Sequence, residues 1–172
     1  MIDSKTSIGR QIISLNSDEI QTITTEWKGI QTWDCENPNL YTLKLELINP
    51  QKQIVHIHEE RIGFRTIEFR PKDGIYVNGT KIIVKGTNRH RFHPDGGRTT
   101  NRELSLQDAL LIKEMNMNAV RSHYPPDKHF LEICDSLGIF YLNELAGWQN
   151  SYDTETGLKL LSEMINRDVN HP

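Results

Sequence analysis

Cysteine is scarce: Cys35 and Cys134 are the only two in 172 residues, and they lie far apart. Two thiols so placed make neither a disulfide framework nor a zinc pair. Both read as free, with Cys134 buried on a helix. Long apolar runs are missing as well; none approaches the ~20 residues that cross a bilayer, which argues against a membrane partner. Positive charge is not in excess. The formal net charge is −3 and the isoelectric point about 6.2, so the basic footprint of a nucleic-acid binder is absent. There is no low-complexity tract and no internal repeat, and the start, MIDSKTSIGRQ, carries no apolar signal-peptide core.

What is present is an ordinary globular composition, with 36% hydrophobic and 25% charged residues. That is too apolar for disorder and too polar for a membrane protein. The length allows one domain or two small ones.

The hydrophobic period changes along the chain. Leu43, Leu45 and Leu47 alternate with Thr42, Lys44 and Glu46, the period of a strand with one buried face. Asn49-Pro50 breaks that run, and Ile54 to Ile57 begins another, with Val55 and Ile57 on one face. A further strand is expected around Gly63 to Phe69. In IYVNGTKIIV, Asn78-Gly79 is the preferred two-residue type I′ hairpin turn. This half reads as antiparallel β.

Beyond residue 100 the period becomes helical. Ser105 and Asp108 form a Ser-x-x-Asp capping box before an apolar helix. Leu106, Ala109 and Leu110 mark its stripe, widened by Leu111, Ile112 and Met115. AVRSHY is a short strand closed by Pro125-Pro126, and Asp127 can cap the next helix. Phe130, Ile133, Cys134 and Leu137 line one face of that helix, and Gly138 ends it. IFYLNEL is another strand, and Leu158, Leu161 and Ile165 share a face of a third helix. With a first strand at Ile82 to Thr87, strands and helices alternate, which predicts a parallel sheet with right-handed crossovers. The two regions meet near residues 70 to 80.

Ligands bind at the C-terminal ends of such strands. That rule selects three loops: Asn88 to Pro94, Arg121 to Pro125 and Asn143 to Trp148. Together they offer imidazoles, a guanidinium, amides, a carboxylate and an aromatic plane, the mixture that a sugar's hydroxyls and flat C–H face require. Each residue also has a plainer reading. His93 and His123 also read as structural histidines; as metal ligands with His90 they lack the carboxylate or cysteine that would complete a familiar spacing. Arg121 and Glu144 serve equally as buried paired charges, and Trp148 as core packing. His56 and His58, beside Glu59 and Glu60, read as solvated surface.

The segments GFRTIEF, VNGTKIIVKGTNRHRFHP, MNMNAVRSHYP and CDSLGIFYLNE, in that order and spacing, resemble glycoside hydrolase family two, which holds β-galactosidases, β-glucuronidases and β-mannosidases. The resemblance covers roughly residues 33 to 172. It implies an α/β fold: a partial (β/α)8 TIM barrel, represented by its first three βα units, preceded by a partial immunoglobulin-like β-sandwich. The implied division is 1–70 for the last sandwich strands and 71–172 for the start of the barrel. The N-R-H-x-x-H-P pattern from Asn88 to Pro94 is that of the galactosidases.

By this resemblance Asn88, His93, Arg121, His123, Glu144 and Trp148 bind substrate, with His93 and His123 on hydroxyls near the cleaved bond. The implied activity is that of a retaining exo-β-glycosidase, most simply a β-galactosidase, acting on a carbohydrate; a non-catalytic carbohydrate-binding module is the other class. Retaining enzymes use two carboxylates. The family places the acid/base in an Asn-Glu pair at the end of the fourth barrel strand and the nucleophile on a later one, so both are expected beyond Pro172. The chain alone is therefore expected to be inactive, and marginal, oligomeric or aggregation-prone. Asn143-Glu144 lies on the third strand and is not assigned as catalytic. The Glu-x-His magnesium motif of some relatives is replaced here by LAGWQNSYD, so no cofactor is assigned. The resemblance leaves open homo-oligomerisation of the full-length protein and the choice between bacterial cytoplasm and periplasm.

Overall fold

A computed structural model describes residues 7–15, 20–147 and 150–172. The chain forms two units, Met1–Gln31 and Thr32–Pro172. Among the described residues of the first unit there is no helix or strand.

The second unit begins with an antiparallel hairpin of β1 (Tyr41–Ile48) and β2 (Ile54–Ile62). Its register sets Leu43, Leu45 and Leu47 opposite Glu60, His58 and His56. Directly opposed residues share a face, so the leucine stripe runs beside charged and imidazole side chains. The alternation predicts the strand correctly, but its burial differs. The three leucines are 39 to 51% exposed, because no layer among the described residues covers them.

A second antiparallel sheet follows, in the order β3 (Ile67–Arg70), β4 (Gly74–Val77), β5 (Thr80–Ile82). The strand expected from Gly63 to Phe69 is shorter and starts at Ile67. The Asn78-Gly79 turn forms as predicted: Val77 pairs with Thr80, and both turn residues have positive φ, 50° and 77°. The Asn78 side chain adds its own brace. Its Oδ1 accepts from the Thr66 N–H at 3.0 Å and its Nδ2 donates to the Trp33 carbonyl at 3.0 Å.

The third sheet is parallel, in the order β6 (Gly86–Asn88), β7 (Ala119–Arg121), β8 (Phe140–Leu142). Helix α1 (Arg102–Glu114) joins β6 to β7, α2 (Lys128–Leu137) joins β7 to β8, and α3 (Thr154–Asp168) follows β8. No closed barrel is present among the described residues. The first parallel strand is Gly86–Asn88 rather than Ile82 to Thr87; Ile82 instead completes the β5 hairpin. Close packing explains Gly86, where a Cβ would stand 3.2 Å from the Ala119 carbonyl oxygen.

The core lies between this sheet and the first two helices. Ala109 and Ile112 of α1, Val120 of β7, Phe130, Ile133 and Cys134 of α2, and Ile139 form one buried cluster. The α2 stripe is as predicted. The α1 stripe is rotated: Ser105, Ala109 and Ile112 are buried, while Leu106, Leu110, Leu111 and Met115 are 42 to 56% exposed. The Ser105–Asp108 capping box does not form. Asn101 caps α1 by accepting from the Leu104 N–H at 2.9 Å. Ser105 is instead buried, with its Oγ 3.0 Å from His129 Nε2. Asp127 stands at the start of α2 without a side-chain cap bond. The predicted apolar face of α3 is exposed, at 40 to 63% for Leu158, Leu161 and Ile165.

Gly138 ends α2 in the left-handed region, with φ 67° and ψ 47°, and its N–H returns to the Cys134 carbonyl. A Cβ there would stand 2.5 Å from the Cys35 carbonyl oxygen. Gly138→Ala is therefore expected to lose the left-handed penalty of about 1–2 kcal/mol and more from the backbone clash. A fall in urea midpoint with an unchanged slope reads it out; an unchanged midpoint contradicts it.

Candidate functional site

The parallel register aligns Asn88, Arg121 and Leu142 at one end of the sheet. The segments that follow each strand therefore leave from a common edge. Arg121 is the centre of what they build. Its Nε donates to Glu144 Oε2 at 2.8 Å, and its Nη2 reaches the same oxygen at 2.5 Å. Its Nη1 lies 3.3 Å from His123 Nε2. Both members of the ion pair are about two-fifths exposed, 40% and 39%, so the pair fixes geometry more than it stabilises the fold.

His123 lies flat against His90, with ring centroids 4.6 Å apart and planes 9° from parallel. Its Nδ1 is buried without a hydrogen-bond partner among the described residues. Tyr124 supports the same corner: its ring lies 6.0 Å from His90, and its hydroxyl accepts from the Arg91 N–H at 2.8 Å. Arg91 in turn reaches Asp127 Oδ1 at 2.5 Å, and Thr100 donates to Asp127 Oδ2 at 3.3 Å. The carboxylate that could have capped α2 therefore fastens the β6–α1 loop.

Beneath the rim, Arg89 is 10% exposed and is held by Asp108 at 2.7 Å, with its guanidinium 4.0 Å above the Phe130 ring. Its N–H donates to the Arg121 carbonyl at 2.8 Å. Ser122 is buried; its Oγ donates to the Tyr124 carbonyl at 2.5 Å and contacts the Tyr141 hydroxyl. Burial pushes the Tyr141 phenol up to about 12, opposed by its bond to Ser122. Asn143 donates to Asp168 Oδ2 at 2.6 Å, tying the end of β8 to α3, and its own Oδ1 accepts from the Glu144 N–H at 3.1 Å.

Of the residues singled out in the sequence, Arg121, His123 and Glu144 meet. Asn88 is exposed at the sheet edge beside Arg121 in register. His93 is occupied locally: its backbone bridges Gly97, and its Nδ1 accepts from the Asp95 N–H at 3.2 Å. Trp148 lies outside the described residues. His90 and Tyr124 fell within the selected loops, yet nothing in their spacing announced that the two imidazoles would stack. Among the described residues no group of three or more His, Cys, Asp or Glu could hold a metal ion. Glu144, Asp127 and Asp108 each engage an arginine. No helix among them is long and apolar enough to cross a membrane.

Residues 3–65 match the model of glycosyl hydrolases family 2, and residues 68–172 match its TIM barrel domain. The β-galactosidase of Thermoanaerobacterium thermosulfurigenes is 42% identical over 151 residues, covering 84% of this chain and 20% of that protein. The β-galactosidase of Lactococcus lactis is 36% identical over 152 residues, 81% of this chain and 15% of that one. Among solved structures, a β-glycosidase from Bacteroides vulgatus superposes with a TM-score of 0.75 at 32% identity, over 82% of this chain and 20% of its own. The β-glucuronidase of Parabacteroides merdae gives 0.74 at 31% identity, over 83% and 18%. The chain thus spans about a fifth or less of the length of these relatives. Two domain models in tandem, and relatives aligned across most of the sequence, place the chain in glycoside hydrolase family two.

Proposed function

We propose that the chain supplies one sector of the sugar-binding rim of a retaining β-glycosidase, with a β-galactoside as substrate. The observation that carries the reading is the convergence of Arg121, Glu144, His123 and His90 at the C-terminal edge of a parallel sheet. That edge is where α/β folds bind ligands, and the cluster combines fixed donors with a ring face. The kinship to β-galactosidases supports the choice of sugar. β-Glucuronides are the competing class, since a β-glucuronidase is among the structural relatives.

In this reading the three βα units open a (β/α)8 barrel, residues up to about 70 close an immunoglobulin-like sandwich, and Asn88, in register with Arg121, extends the rim. Glu144 is not the acid/base. One of its oxygens is held by two nitrogens of Arg121, which suits a brace for binding groups. The two carboxylates that retention requires come from elsewhere in the complete enzyme, and no magnesium is assigned to this sector.

A graft tests this. The matching 151-residue stretch of the Thermoanaerobacterium enzyme is replaced by this chain's residues, and the chimera is assayed on nitrophenyl β-galactoside, β-glucuronide and β-mannoside. Turnover of the galactoside is expected, falling about 100-fold in kcat/KM when Arg121→Leu removes the brace, or about 2.7 kcal/mol of transition-state binding. A folded chimera that turns over nothing overturns the glycosidase reading. Preference for the glucuronide overturns the choice of sugar alone.

A further inference from the structure

The imidazole of His123 is bounded in a way that decides where its proton sits. Its Nε2 faces Arg121 Nη1 at 3.3 Å. A guanidinium has five N–H donors and no acceptor. The Nε2 must therefore present its lone pair, and the ring proton belongs on Nδ1. That Nδ1 is buried with no partner among the described residues. His90 covers one face of the ring without touching its edge nitrogens. Arg121 is in turn oriented by Glu144, which takes Nε and Nη2 and leaves Nη1 for the histidine.

We infer that Glu144 is a positioning residue: acting through Arg121, it locks His123 in the Nδ1–H tautomer. Both ring nitrogens of His123 are then held away from solvent, Nε2 against Arg121 and the Nδ1 proton in the interior.

The test is a long-range ¹H–¹⁵N correlation spectrum of the chain's histidines at neutral pH. In the wild-type chain His123 Nδ1 is expected in the protonated, pyrrole-type range and Nε2 in the pyridine-type range. Glu144→Ala frees Arg121 and is expected to move His123 towards a mixture of tautomers. Glu144→Gln keeps an acceptor for the guanidinium and restores most of the wild-type pattern. Unchanged His129 signals, from the buried contact with Ser105, certify the fold in each variant. A wild-type Nε2 in the pyrrole-type range overturns the inference, even where Glu144→Ala does not fold. So does a folded Glu144→Ala chain whose His123 nitrogens stay in place. Because the spectrum is taken without substrate, an inactive graft leaves this result standing, and a wrong tautomer leaves the glycosidase reading standing.

Discussion

His171→Ala is expected to cost about 3–5 kcal/mol of unfolding free energy, the usual consequence of removing one partner from a buried pair. His171 Nδ1 and Asp135 Oδ2 are 2.6 Å apart, with side chains only 11% and 5% exposed. Trp33 reinforces the position by donating its indole N–H to the Asp135 carbonyl at 2.7 Å. Truncation to alanine would leave the Asp135 carboxyl in the interior without its hydrogen-bond partner. Urea unfolding measures the loss, and a variant within 1 kcal/mol of wild type would show that solvent reaches the carboxylate.

The same pair sets a pH dependence. Burial holds the Asp135 carboxyl above its ordinary 3.8, a rise that His171 and Arg61 oppose. A carboxyl with a raised folded pKa binds its proton more tightly folded than unfolded. Its contribution is therefore complete below 3.8 and is lost as pH rises through the folded value. Asp135→Asn cannot titrate. The stability difference, wild type minus Asp135→Asn, should fall as pH rises through that window. A difference that rises with pH there contradicts the burial argument.

Phe130→Ala is expected to be as costly, about 3–5 kcal/mol. The ring is 1% exposed in the core cluster and meets Tyr141 edge to face at 5.9 Å. It also carries the Arg89 guanidinium. Removing it empties a core position and takes away the surface on which Arg89 lies, so the loss should extend to the rim through the Arg89 to Arg121 backbone bond. Phe130→Leu keeps most of the apolar volume and should cost less, while still losing the cation–ring contact. Denaturant unfolding gives the stability term, and faster exchange of the Arg89 amide in both variants reports the loosening. Slow exchange at Arg89 in a destabilised Phe130→Ala chain would separate the core from the site.

What the sequence discloses here depends on whether local chemistry has a rival. Asn78-Gly79 has none, because two successive positive φ values suit few other pairs, and the turn forms where read. Helix α2 is equally plain, since its apolar residues keep one period and a glycine marks its end. Helix α1 is not. Asn101 and Ser105 are both good caps, and the choice fell to tertiary packing, which buries a serine on His129 and leaves four large apolar side chains exposed. Hydrophobicity alone points to the wrong face of that helix. The parallel strands are three residues each, too short for alternation to fix their ends, so the start expected for the first at Ile82 lies too early.

The site follows the same logic. The rule that ligands gather at strand ends finds Arg121, His123 and Glu144. It cannot find that His90 would lie on His123, because a stacked pair from two loops has no sequence period. Nor can it show that His93 turns to its own loop, where Asp95 supplies a nearer partner.

The brevity of β7 also bears on how this segment can vary. Val120 is fully buried, and its neighbour Arg121 feeds the rim from the same three-residue strand. Successive side chains of a strand point to opposite faces. One residue inserted between Ala119 and Arg121 would turn the guanidinium away from Glu144 and drive a different side chain into the core. Insertions and deletions are better absorbed in the exposed turn between His93 and Gly97, which carries no core contact. Rim chemistry and core packing are thus tied to a single reading frame of three positions, while the neighbouring loop is free to change length.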